Sequence, residues 1–481
     1  MEKANTEKPK KIIYALDIPG VIDVINDQGK LRYLMTDNKL TDQIELDDMI
    51  CAPPPLEACP YTFADKEGLS QALSHHAEQE CTEDIRLYED LLAYHKHISD
   101  LPHELYYHLL VLWDFHTYIL DKLHFSPILY FYAVKERGKS RTMKGALYVA
   151  RRGVYTECIR EADIIRWGND HKASLGFDIK DFPKKVERAN CDDLFLARFE
   201  KGSVSSRTLW PEKGAFKDTK VYHLFGPTII ATNRPVDDIL ESRSIAVDMK
   251  PSNKSFSNKV LPEYAQPLKD RLTAFRIAHI ATPLVAAEKP AQGRFGDIMS
   301  PLYQLVLTFF PEKKETFLRL IALIDTQKKE DAIDSIEAHV LEALIALKYD
   351  VCDAFLPTDL VANKINATRD TRFTLTHETI GRILKGLGFL KKRGTQGQRG
   401  ILYDEELLTK LAMSYGLLGT SDSSDSEKTY PEADNESTDE KDTCEVMCEE
   451  NPSEVSEPSI QKLFDNEEDI PLPVSSSPKT I

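Results

Sequence analysis

Apolar positions along the chain change their spacing several times, and each change predicts a different element. Residues 12–35 alternate short β-rich runs around Asn26-Asp27-Gln28-Gly29, which predicts a hairpin. Cys51–Pro60 is Pro-rich and reads as a linker. Thr82–Ser99 and His103–Leu123 carry helical periodicity, the second with Leu105, Leu109, Leu112, Trp113, Ile119, Leu120 and Leu123 mostly on one stripe. Pro127-Ile128-Leu129-Tyr130-Phe131-Tyr132 is continuous, too short for a helix and suited to a strand covered on both faces. Further apolar strands are predicted at Ala173–Phe177, Gly226–Ala231 and Ser244–Met249. Their alternation with helical stretches predicts a mainly parallel α/β sheet.

From Asp331 the pattern becomes helical. Ile333, Ile336, Val340, Leu341, Leu344, Ile345 and Leu347 define one amphipathic helix. Leu360, Val361 and Ile365 define a second behind Pro357-Thr358-Asp359, and Ile380, Ile383, Leu384 and Leu387 a third behind Thr376. Phe389–Tyr403 then predicts a hairpin around Gly394, Gly397 and Gly400. Three helices and a two-stranded wing describe a winged helix. Beyond Gly419 the chain is Ser, Glu, Asp and Pro, too poor in apolar surface to offset chain entropy, and is expected to be disordered. The expected division is a β-rich accessory region at 1–80, an α/β core at 81–290, a helical segment at 291–330, the winged helix at 331–418 and the acidic tail at 419–481.

Composition narrows the function classes. With 481 residues, 42% of them hydrophobic, the chain can fill two or three cores. Its longest uncharged apolar stretches fall short of a membrane span, and its N-terminus, broken by Asp17, Pro19 and Asp23, lacks a secretory core. A cytoplasmic protein without membrane association is expected. Eight cysteines without any Cys-x-x-Cys read as reduced thiols, and His103, His108, His116 and His124, none four apart, as core or cap histidines. The net charge of −17 is concentrated: residues 421–481 hold 18 Asp or Glu against four Lys. The other 420 residues carry 57 basic and 60 acidic side chains, so the body is nearly neutral and local basic patches remain free to bind phosphates. The tail reads as solubilising and partner-binding; competition with DNA for such a patch is the other role open to it.

The apolar run ending at Tyr132 leads into Ala133-Val134-Lys135-Glu136-Arg137-Gly138-Lys139-Ser140 and then a helical stretch. Strand, loop and helix in that order, closing on Gly138, Lys139 and Ser140, match a phosphate loop. Backbone amides cradle the phosphates, the Lys139 ammonium bridges them, and the Ser140 hydroxyl enters the magnesium shell. Ala133 stands where such loops have Gly. A hydrolytic site also needs a magnesium-holding carboxylate at the end of a neighbouring strand, and Asp178 ends Leu175-Gly176-Phe177-Asp178. Ile179 replaces the usual second acid, which passes the water-polarising role to Asp181. Asn233, at the tip of Thr228–Thr232, is placed to sense the γ phosphate or the attacking water. Arg243, just before the last strand, is placed to act in a ring as a finger on a neighbouring subunit's nucleotide.

The stretch from about Phe125 to Met249 resembles the mobile-element replication ATPases of bacteria, phages and plasmids, which are similar to superfamily 3 and AAA+ helicases and to primase-associated helicase modules. The residues that carry the resemblance are Arg137–Thr142, Phe177–Asp181, Leu196–Gly202, Phe225–Asn233 and Ser242–Ile245. It implies a P-loop NTPase core of AAA+-like parallel sheet, ATP and Mg²⁺ as cofactors, Arg141 among the nucleotide-binding residues, a homo-oligomeric ring that moves on DNA, and a primase or other replication protein as the expected partner of the acidic tail. Gly293–Ile298 followed by Pro301-Leu302 is similar to the helical lid of such enzymes, with Arg294 as a second nucleotide sensor.

Two segments are expected to touch nucleic acid. Ser203–Tyr222 can turn through Pro211-Glu212-Lys213-Gly214 as a hairpin bearing Arg207, Lys213, Lys217 and Lys220; in related helicases such a hairpin grips the DNA backbone in the pore, while the plain alternative is a solvated hairpin. The third winged helix carries His377, Arg382 and Lys385, and the wing carries Lys391, Lys392, Arg393, Gln398 and Arg399. Arg382 and His377 are expected to reach base edges and the rest to meet phosphates, although winged helices also serve protein contacts. Two functions stand: an ATP-hydrolysing DNA translocase or helicase in replication of a plasmid, phage or integrated element, or a nucleotide-gated or catalytically dead DNA-binding initiator or regulator on an ATPase-like scaffold.

Overall fold

The computed structural model describes residues 10–46, 49–134, 136–251, 254–256, 258–333, 335–368, 375–394 and 397–417. The acidic stretch 419–481, with its expected disorder and its partner, lies outside the described residues. The chain folds as two compact units that divide between Ile321 and Ala322. Helix Lys314–Ile333 runs through that division and through the boundary expected at 330.

Five parallel strands form the sheet of the first unit, ordered Ser244–Asp248, Ile128–Tyr132, Thr228–Thr232, Ser174–Asp178, Gly153–Thr156. Ile128, Leu129 and Phe131 are wholly buried, as a strand covered on both faces requires. The edge strand Gly153–Thr156 is absent from the sequence reading: four residues behind Arg151 and Arg152 leave too short an apolar signal. Helix Lys139–Val149 packs tightly across the sheet, and a Cβ on Gly176 would lie 2.2 Å from Leu147 Cδ1, so only Gly allows that approach.

The expected hairpin forms from Val21–Asp27 and Lys30–Met35, turning at Gln28 and Gly29 with positive φ at both. It is not a separate accessory region. Asp23 is buried against Arg151 and Arg152, with bonds of 2.7–3.0 Å. Burial alone would raise the Asp23 pKa; the two guanidiniums outweigh it and hold the carboxyl well below the usual range. The boundary expected at 80 likewise falls inside a single helix, Lys66–Ile98, capped by Asp65 accepting from Glu67 N. Leu105–Tyr118 is buried all round rather than on one stripe, including Trp113, Asp114 and His116.

The second unit has a core of Leu341, Leu344, Val361, Ile365, Ile380, Leu384 and Ile401. Helices Ile336–Ala346, Thr358–Thr368 and His377–Gly386 are followed by strands Lys391–Arg393 and Arg399–Leu402. Ser335 and Thr376 cap the first and third helices through bonds to Ala338 N and Thr379 N. A third strand, Phe355–Pro357, and a last helix, Glu405–Ser414, complete the unit and are additions to the sequence reading. Among the described residues, no helix is long and apolar enough to cross a membrane.

Candidate nucleotide and nucleic-acid sites

The phosphate-type loop leaves strand Ile128–Tyr132 at the C-terminal edge of the sheet, where ligands of parallel sheets bind. Ala133 is buried and stays on the sheet, its N–H donating to Thr232 O at 3.4 Å. The left-handed positions fall at Glu136 (φ 63°) and Gly138 (φ 79°), so the turn that a Gly would serve is made later than the first position. Lys139 opens the helix and is 6% exposed. Its Nζ donates to Ala133 O at 2.7 Å and Val134 O at 2.8 Å, folding the ammonium back on its own loop. Burial lowers its pKa, and the Asp178 charge opposes that shift.

Asp178 ends its strand at the same edge, in register with Ala231. Thr228–Thr232 lies between the Asp178 strand and the loop strand. The two strands are therefore next but one, roughly 10 Å between axes, rather than adjacent. Asn233 follows the intervening strand, its N–H on Lys180 O at 3.2 Å, which places it between Lys139 and Asp178. Asp181 heads helix Phe182–Ala189 and faces Lys184 at 3.7 Å, while Ile179 is buried. Ser140 follows Lys139 in the first helical turn. Tyr155, which the sequence reading lacks, donates within reach of Asp178 Oδ2 at 2.9 Å and Glu157 Oε1 at 2.8 Å. Its signal was hidden with the edge strand that carries it. Ser140 and Asp178 are hard oxygen donors of the kind that suit Mg²⁺.

Arg141 is used differently from the family expectation. Its guanidinium donates to Ile98 O and Asn258 O, both at 2.6 Å, and lies 4.5 Å from the Phe256 ring. That ties the helix to flanking segments and leaves the loop to Lys139. Arg243 and Arg294 come together at the opposite edge. Arg243 stands one residue before strand Ser244–Asp248, whose first residue pairs with Ile128. Its Nη1 donates to Ile239 O at 2.8 Å, and burial, then the Arg294 charge, lower its pKa. Arg294 donates to Ser242 Oγ at 3.1 Å. A five-residue strand spans roughly 16 Å, so Arg294 sits with Arg243 and not with the Lys139 loop of its own chain.

The hairpin forms from Val204–Thr208 and Thr219–His223. Arg207, on the first strand of the hairpin and not at its tip, forms ion pairs with Glu161 and with Asp193 at 3.5 Å. Lys213 lies 4.0 Å over the Trp210 ring. Phe216 is fully exposed with φ 71°, and Leu209 and Trp210 are also exposed. A search for charge alone passes over these aromatics, although an aromatic beside Gly214 in a turn was a readable signal.

In the second unit a groove of about 550 Å³ gathers His377, Arg382, Lys391, Lys392, Arg393 and Arg399. Glu378 lines it too and pairs with Arg399 at 3.6 Å, while His377 faces Asp359 at 3.5 Å. Lys392 donates to Asp353 O at 2.6 Å. Lys385 is exposed on the helix outside the groove lining.

No protein-family model matches the chain. No curated protein matches it either. Among solved structures it is similar to the C-terminal region of NrS-1 in its apo form, at 14% identity over 76% of this chain and 82% of that one, with a TM-score of 0.30. It is similar to SCCmec type IV Cch, an active helicase, at 11% identity over 82% and 80%, with a TM-score of 0.32. It is also similar to the inhibitor-bound JCV helicase, at 16% identity over 58% and 70%, with a TM-score of 0.25.

Proposed function

We propose that this chain hydrolyses ATP to move on DNA, as a translocase or helicase in replication of a plasmid, phage or integrated element, and that it works as a head-to-tail ring. The observation that carries the reading is the split of charged groups between the two edges of one parallel sheet. Lys139, Asp178 and Asn233 share the C-terminal edge, and Arg243 with Arg294 occupies the other. The arginines cannot serve the loop of their own chain, but a heterologous interface brings one edge of each copy against the other edge of the next.

At the first edge, Lys139 leaves Ala133 O and Val134 O for the phosphate oxygens, a stronger partner for an ammonium than two neutral carbonyls. Ser140 and Asp178 would hold Mg²⁺, which when bound neutralises charge on the phosphates. Tyr155 fixes the Asp178 carboxylate through its hydroxyl. Asn233 orients the attacking water, Asp181 accepts its proton, and Arg243 of the next copy meets charge developing in the transition state. Single-stranded DNA is gripped by the hairpin tip, where Phe216 and Trp210 stack on bases while Lys213 meets phosphates. The winged-helix groove binds duplex backbone through Arg382, Lys391, Lys392, Arg393 and Arg399, with His377 beside them and Lys385 at the flank.

The test is DNA-stimulated ATP hydrolysis by the chain and by Lys139→Ala. The variant is expected to lose at least about a hundredfold in rate. A wild-type rate no greater than the variant's would instead favour a DNA-binding initiator or regulator on an inactive scaffold, the reading to which the buried Ile179, in place of a second acid, also points.

A further inference from the structure

Two long helices of the first unit, Lys66–Ile98 and Pro262–His279, pack against each other and place a group of ligating side chains at their contact. His76 and Asp84 are eight residues apart on the first helix, hence two turns along one face. His279 is the last residue of the second. His76 Nε2 lies 3.1 Å from Asp84 Oδ1, and His279 Nε2 lies 2.7 Å from Asp84 Oδ2. One ligand atom from each of the three lies within 4.8 Å of the others. The side chains are 12%, 8% and 19% exposed for His76, Asp84 and His279, enclosed yet reachable from solvent.

We infer that His76, Asp84 and His279 form a binding site for a divalent transition ion, Zn²⁺ by the chemistry of its donors. Two imidazole nitrogens and one carboxylate oxygen are a borderline set that suits Zn²⁺ and not Mg²⁺ or Ca²⁺. Zinc–ligand bonds of about 2.0–2.2 Å in a tetrahedron hold donor atoms roughly 3.3 Å apart. His76 and His279 meet different oxygens of Asp84, so with one oxygen on the ion only one of these contacts is a donor–donor edge, and the three ligand atoms, within 4.8 Å of one another, draw together by at most about 1.5 Å. The fourth position is left to water. Ligation through Nε2 needs both imidazoles neutral with their proton on Nδ1, so that the Nε2 lone pairs face the ion; an imidazole that starts as the imidazolium gives its Nε2 proton to solvent.

Packing orients the donors beforehand. Phe275 and Phe309 flank the His279 ring at 4.6 and 4.7 Å between centroids, and the His76 ring meets it edge-on at 5.6 Å. Lys122 donates to His279 O at 2.7 Å, fixing the end of the helix. A bound ion would clamp the two helices, and Ile98, at the far end of the first, accepts from Arg141 behind the phosphate-type loop. The site is independent of the ATPase reading.

The test uses the tag-free full-length chain, stripped with a chelator and titrated with Zn²⁺ and separately with Co²⁺. Expected are one equivalent of saturable binding, the intense visible absorption of four-coordinate Co²⁺, and a raised thermal midpoint with Zn²⁺. His76→Gln is expected to weaken binding at least about a hundredfold while the far-ultraviolet circular dichroism is unchanged. Asp84→Asn should do the same, and Glu83→Gln, an acid paired with Arg271, should bind as the wild type does. Should His279→Gln fail to fold, because that ring is packed between two Phe, His76→Gln decides alone. Absence of saturable binding, or His76→Gln binding Co²⁺ as tightly as the wild type, would reduce the three side chains to an ion-pair network and overturn the inference.

Discussion

Arg198 is wholly buried without any carboxylate among its bonded partners. Its guanidinium donates instead to Thr228 Oγ1, Leu224 O, Ala173 O and Pro227 O at 2.7–3.0 Å, pinning the starts of the Asp178 strand and the Asn233 strand to one another. Burial pulls its pKa down to about 9, so it remains charged at neutral pH. Arg198→Ala removes four buried hydrogen bonds, only Pro227 O and the Thr228 hydroxyl keeping another partner among the described residues, and should cost about 3–5 kcal/mol in urea unfolding, with Arg198→Lys recovering part of it; a loss under 1 kcal/mol would mean water replaces the guanidinium. His116 makes a pH prediction. Burial lowers its pKa to about 3, against about 6.5 unfolded. Between those values the unfolded chain binds the extra proton, so stability falls as pH falls from 6.5 toward 3. Taking pH 7.5 to 5, the wild type should lose about 2 kcal/mol more than His116→Phe, measured as unfolding free energies. Equal losses would show that the ring is protonated in the fold.

At the scale of elements, the hairpin Val204–Thr208 and Thr219–His223 should bind through its tip. Phe216 is fully exposed, so Phe216→Ala should leave the unfolding midpoint unchanged and weaken binding of single-stranded oligonucleotide by about 1–3 kcal/mol in anisotropy titrations. Unchanged affinity would leave the hairpin to a protein partner. The core strands were legible because continuous apolar runs such as Ile128–Phe131 mark burial on both faces. The loop was legible because Gly138-Lys139-Ser140 follows such a run directly. Strand Gly153–Thr156 was not, since four residues carry little period, and Tyr155 went with it. Nor could spacing show that Arg207 meets Glu161 and Asp193, or that Arg294 meets Ser242, because these partners come from distant segments. The His76–Asp84–His279 group was invisible for the same reason: 195 residues separate Asp84 from His279.

For the whole molecule, the sheet separates two halves of one proposed reaction. Its C-terminal edge carries the ammonium of Lys139 and the carboxylate of Asp178, and its opposite edge carries Arg243 and Arg294. In the proposed ring a single copy holds half of each of two sites, and turnover would belong to the interface. The most direct measurement is ATP hydrolysis by a mixture of Lys139→Ala and Arg243→Ala chains. Each variant alone should be inactive, with Arg243→Ala still binding nucleotide. An equimolar mixture should recover about one quarter of the wild-type rate, since random assembly across head-to-tail interfaces joins an intact Lys139 to an intact Arg243 that often. No recovery on mixing, or an Arg243→Ala chain that hydrolyses ATP by itself at the wild-type rate, would contradict the shared site.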